Sequence, residues 1–319
     1  MNSSRSIINK AVLAAILALS AGQVSALTLV ADYSDVSVGS IWQTTGGQLQ
    51  SSDPGSGAID VTANFKLNVA AAFTYLQNSI LVPWTETVTF KLFDFKAAAI
   101  SADGDSAIDH VDGNGRPDMS TIRLDSSDAS HFYVDATPFD NSEYDMNVVD
   151  ATLGGSSVNV GRFGSSVVGG IAENRTDVLT LLLHELVHSA GFNFLDRFDN
   201  LAGPVGTDNR KITVPTTLTG FASDFDLPFI SASDHVDPVA AGGIFAHAIT
   251  SEPSFGENDR WLPTGAELYA LCQVEGCAAN EINPNLVASP VPVSGAFWLM
   301  ASAGLGLAGM ARRRKQAGA

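Results

Sequence analysis

Residues 181–192 read LLLHELVHSAGF, and this stretch constrains the chain more than any other. It closes the apolar run VLTLLL at 178–183, which calls for a buried helix, yet the same helix carries His184, Glu185 and His188. Three polar side chains in an apolar setting are costly unless each meets a partner. Helical residues advance about 100° apiece, so positions four apart lie about 40° from eclipsed. His184 and His188 therefore project side by side, one turn apart, where both imidazoles can reach one metal ion. Glu185 lies about 100° round from His184. It is poorly placed to bind that ion and well placed to reach a water beside it. The spacing assigns two ligands and one base. The plainer reading, a pair of satisfied core histidines, must find buried partners for all three groups.

The flanks support a helix. Thr176 or Asp177 can cap its start, and Gly191 can end it in a left-handed conformation. Elsewhere, residues 65–80 have helical spacing and stop before Pro83, and 264–274 form a last helix capped by Thr264 with Glu267 three later. Residues 86–95 alternate with period two and read as a strand, and 120–125 and 131–135 are shorter strand candidates. Residues 27–62 read as an irregular, β-containing entry, and 193–233 as a long insertion with few clear elements. The order predicts an α+β fold in one domain from about 27 to 289: a small mixed sheet, an active-site helix and a C-terminal helix.

Both ends differ from this domain. Residues 1–26 read as a secretory signal: Arg5 and Lys10, then an apolar stretch, then small residues up to Ala26. Residues 291–311 carry no charge and are followed by Arg312, Arg313, Arg314 and Lys315. About 21 residues at about 1.5 Å each match a hydrocarbon core of about 30 Å, so a membrane-crossing helix with a cytoplasmic basic end is expected. The two ends hold six of the 17 basic residues and none of the 34 acidic ones, so the middle carries a net charge of −23. Such a surface repels nucleic acid. Cys272 and Cys277 stand in CQVEGC. In an oxidising compartment they are expected to pair.

HELVHSAGF, residues 184–192, resembles the HExxHxxGF catalytic helix of metzincin-type zinc endopeptidases. Most members of that group place a third ligand histidine three residues after the glycine; here that position is Phe194. Gluzincins use a downstream glutamate, but none occurs between Glu185 and Glu252. Leishmanolysin-like members insert a long segment before the third histidine, and this chain fits that pattern. His235 and His247 are the histidines after His188. His235 is preferred, because Asp234 or Asp237 can accept from its second ring nitrogen. DHVDP and the residues after it also resemble the end of leishmanolysin- and matrixin-like domains. By that likeness His247 falls in the Met-turn beneath the metal. His247, Asp196 and Asp208 remain the other candidates for third ligand. The Met of that turn is missing: the methionines are 1, 119, 146, 300 and 310, so the turn would be built from other residues near 246–249.

The tail from residue 290 resembles the PEP-CTERM sorting signals of Gram-negative bacteria, with Pro-Val-Pro at 290–292 in place of Pro-Glu-Pro. That likeness implies an exosortase-type processing enzyme, transient anchoring by the C-terminal helix, and a place in the cell envelope or outside the cell. The acidic stretch 103–118 offers Asp103, Asp105, Asp109, Asp112 and Asp118. A solvated acidic turn is favoured there over a calcium site, whose ligands would be these oxygens. His131 reads as structural or surface. The expected activity is zinc-dependent hydrolysis of protein or peptide substrates, with His184, His188 and His235 as ligands and Glu185 as base. An extended substrate would be held by a strand in 131–135. The rivals are a catalytically silent surface or biofilm-associated binding protein and a zinc hydrolase of non-peptide substrates.

Overall fold

The period-two alternation around residue 88 sorts side chains as expected: Trp84, Glu86, Val88 and Phe90 are buried, with more accessible residues between them. The computed structural model describes residues 27–34, 42–44, 49–50, 58–60, 62–93, 103–125, 132–193, 196–231, 233–240, 242–251 and 257–283. The expected signal at 1–26, the tail at 290–319, His131 and Phe194 lie outside them. In chain order the strands are β1 (Thr28–Asp32), β2 (Trp42–Thr44), β3 (Leu49–Gln50), β4 (Ala58–Asp60), β5 (Thr85–Phe93), β6 (Gly104–Val111), β7 (Pro117–Asp125), β8 (Phe132–Tyr133), β9 (Tyr144–Leu153), β10 (Ser156–Ser166), β11 (Thr176–Asp177), β12 (Lys211–Val214), β13 (Phe225–Pro228) and β14 (Asp259–Trp261). The helices are α1 (Thr62–Ser79), α2 (Val178–Ser189), α3 (Asp196–Ala202), α4 (Thr216–Thr219) and α5 (Gly265–Val274).

The fold is mixed α+β with small sheets. The principal sheet has the order β1-β5-β7-β6. β1, β5 and β7 run parallel, and β6 pairs antiparallel with β7 at one edge. A second sheet, β14-β10-β9, carries the long β9–β10 hairpin, and β12–β13 form a separate hairpin. The insertion at 193–233 is thus more structured than its sequence suggests: it holds α3, β12, α4 and β13.

Helix α2 packs against β6, β7 and α1. All of its residues are buried. Its seven Val and Leu side chains each contribute roughly 2 kcal/mol on leaving water, which lets the helix carry its polar trio inward. One hydrophobic cluster draws residues from Leu27 to Ile282 and includes both α1 and α2. The expected helices match α1, α2 and α5 to within a few residues, and α5 has the expected capping box between Thr264 and Glu267.

The acidic stretch 103–118 is not a loop of free carboxylates. It forms β6, a tight turn and the start of β7. Asp112 caps the turn by accepting from the N–H groups of Asn114 and Arg116, Asp105 pairs with Arg123, Asp109 accepts from Thr121 Oγ1, and Asp118 meets His110. Cys272 and Cys277 form the expected disulfide, with Cα atoms 5.2 Å apart. Among the described residues no helix is long and apolar enough to cross a membrane.

Candidate metal centre

Asp177 caps α2: its carboxylate accepts from Thr180 N and Thr180 Oγ1. The helix then delivers His184 and His188 one turn apart, as the spacing requires. Their ring centroids lie 4.6 Å apart. The third histidine arrives from the distant segment 233–240. His235 stands 5.2 Å from His184 and 4.8 Å from His188 between ring centroids. Among the described residues these three form the single group of His, Cys, Asp or Glu side chains close enough to hold a metal ion, and Asp103, Asp105, Asp109, Asp112 and Asp118 assemble no such group.

The orientations of the rings fit a cation. His184 Nδ1 lies 2.8 Å from Ile249 O, and His188 Nδ1 lies 2.6 Å from Phe192 O. Carbonyl oxygens only accept, so both Nδ1 atoms carry a proton, and in each ring Nε2 is the nitrogen left to hold a cation. Those Nε2 atoms are 3.1 Å apart, and His235 Nε2 is 3.4 Å from His184 Nε2. Nitrogens bound to a tetrahedral ion at about 2.0–2.1 Å stand about 3.3 Å from one another. Nitrogens this close need a proton or a metal cation between them.

Glu185 is buried, and its Oε1 lies 4.0 Å from His184 Nε2. It borders the histidine cluster without joining the three nitrogens. Burial pushes its carboxyl up to about 7, against the pull of His188 and a hydrogen bond from Ser106 on β6. Burial, with His188 and His235 alongside, drives His184 well below the usual imidazole range, and burial with His188 lowers His235 to about 4. His188 goes the other way. Burial opposes its charge, but Asp234, Glu185 and the Phe192 carbonyl together outweigh burial and lift it to about 9, so a cation bound at this ring takes the place of a proton.

Gly104 on β6 explains how an edge strand passes so close to Glu185. A Cβ there would stand 2.9 Å from Leu181 Cδ1 and 3.3 Å from Glu185 Oε1. Among the described residues β6 is an edge of its sheet, and it runs beside Glu185. The strand expected to border the site at 131–135 is not that edge: β8 is buried and pairs with β11.

His247 is not part of the cluster. Its ring stacks on Phe163 at 3.8 Å between centroids and meets Trp261 edge-on. Asp196 begins α3, and Asp208 lies in an exposed turn; neither joins the group. Asp237, considered as an acceptor for His235, accepts instead from Val239 and Ala240 N–H. Ser233 Oγ takes that place, 2.5 Å from His235 Nδ1.

Residues 246–249 do lie against the centre, through Ile249 O on His184. That turn is held by Glu267, whose carboxylate accepts from Ile249 N, Thr250 N and Thr250 Oγ1 besides completing the cap of α5. Sequence reasoning found the capping box but not this second task. The signal was present in a glutamate oxygen left over once the cap is satisfied, but nothing in the sequence says which turn it meets.

A scan of the chain against models of known protein families finds no match, and neither does a comparison with curated proteins.

Proposed function

We propose that this chain is an exported zinc-dependent endopeptidase of metzincin type, with His184, His188 and His235 as ligands and Glu185 as general base. The observation that carries the reading is the convergence of three imidazole Nε2 atoms beside a buried carboxylate. Three imidazole ligands suit zinc, and three protein ligands leave a position open for chemistry. Zinc held there supplies a Lewis acid that polarises a carbonyl and makes water a nucleophile at neutral pH. Glu185 takes the proton from the attacking water and returns it to the leaving amine. Its raised affinity for protons, set by burial, suits both tasks. The free edge of β6 offers backbone groups to an extended peptide, which pairs as an added strand next to Glu185. The antiparallel edge strand, the helix beside it and the turn against His184 support the zincin-like reading.

Zinc content and casein zymography of the wild type and of Glu185→Ala test the reading. About one zinc per chain in both, with activity lowered by roughly 10²–10⁴-fold in the variant, is the expected result. Equal activity in both removes Glu185 as the base. Zinc in both and activity in neither turns the assignment toward a binding protein.

A further inference from the structure

Helix α2 and the segment around His235 come from regions 47 positions apart, and their registration has to be maintained by contacts that touch both. Asp234 makes such contacts. One carboxylate oxygen, Oδ2, lies 3.4 Å from His188 Nδ1, and the other, Oδ1, lies 3.6 Å from His235 Nδ1. The side chain is 17% exposed. We propose that Asp234 is a positioning residue that holds the helix ligand His188 and the loop ligand His235 in one frame. The inference rests on the metal assignment above.

The division of labour among neighbours supports this. His184 Nδ1 is fixed by the carbonyl of Ile249. His188 Nδ1 donates to Phe192 O at 2.6 Å, and the Asp234 carboxylate stands beside it at 3.4 Å as a charge. His235 Nδ1 has Ser233 Oγ at 2.5 Å. The tripeptide Ser233-Asp234-His235 thus brings one ligand, a hydroxyl beside that ligand's ring, and a carboxylate that reaches across to the helix. When Nε2 shares its lone pair with a cation, the ring becomes electron-poor and its Nδ1–H more acidic. A carboxylate behind two such rings stabilises both and restrains their planes.

The test uses the purified full chain, stripped of metal and titrated with Zn²⁺ against a chromogenic chelator, with the visible spectrum of the Co²⁺-loaded protein as a second readout. Asp234→Ala is expected to bind zinc about 10–100-fold more weakly. Its Co²⁺ bands should shift or lose intensity as the two rings tilt. Asp234→Asn keeps the shape and one acceptor oxygen, and is expected between Asp234→Ala and wild type. Asp237→Asn, whose parent carboxylate serves only backbone N–H groups of its own turn among the described contacts, should match wild type. If Asp234→Ala fails to fold, Asp234→Asn decides. Wild-type zinc affinity and an unchanged Co²⁺ spectrum in Asp234→Asn overturn the proposal while leaving the metal site standing. A wild type that binds no zinc overturns the metal assignment, and this inference with it.

Discussion

Glu86 shows what a single buried carboxylate does to this molecule. It lies on the inner face of β5, fully buried, and accepts from Ser120 Oγ. Burial pushes its carboxyl up to about 7. A carboxyl whose folded value exceeds its unfolded one costs nothing where both states are protonated. The cost builds as pH rises from about 4.5 towards 7 and is complete above that. Glu86→Gln should therefore gain stability relative to wild type between pH 5 and pH 8, by about 3 kcal/mol at most; urea unfolding at the two pH values measures it. A difference that shrinks as pH rises would contradict the assignment. Gly191, unlike Glu86, is a residue whose identity the backbone favours. Its φ is +155°, and a Cβ there would stand 2.8 Å from Leu271 Cδ1 and 3.0 Å from Glu275 Oε1. The sequence marked this glycine as a turn, but not its close approach to Leu271 of α5.

At the scale of the element, α2 is anchored at its first turn by more than its cap. Arg260, fully buried, binds both oxygens of Asp177, reaches Asp135 and lies over the ring of Tyr144. Asp177 as a cap was legible from its place before an apolar run. Arg260 was not, because its partner is 83 positions away and nothing in its own neighbourhood calls for a buried cation. Removing one member of such a group leaves charges stranded in the interior. Arg260→Ala should destabilise the protein by about 3–5 kcal/mol, read from the denaturant midpoint, with a smaller loss if Asp177 is neutralised in the same chain. The strand β9 shows the opposite difficulty. Its sequence YDMNVVDATL has no clean alternation, because most of it is exposed on both faces, so no single buried face imprints a period. The same holds for β6, an acidic edge strand that reads as a loop.

At the scale of the whole molecule, the three-histidine cluster links two distant parts of the chain, so metal bound at the proposed centre should feed into global stability. A ligand that binds only the folded state at about a hundred times its Kd stabilises by about 2.7 kcal/mol. Adding zinc to metal-free protein should raise the thermal midpoint accordingly, and His235→Ala should lose most of the gain while His247→Ala keeps it, provided each variant folds. Equal responses from the two variants would argue against His235 as the third ligand.

What the sequence determined alone was local: the helix 178–189, its cap, the shared direction of His184 and His188, and the offset of Glu185, all consequences of a fixed turn per residue. The disulfide and the capping box are of the same kind, since their partners lie within a few positions. Tertiary structure decided what depends on distance through space: that His235 rather than His247 closes the cluster, that β6 rather than 131–135 borders Glu185, and that Glu267 and Asp234 hold the surroundings in register. Those contacts join segments whose separation along the chain carries no periodic signal. Only packing of the common core brings them together.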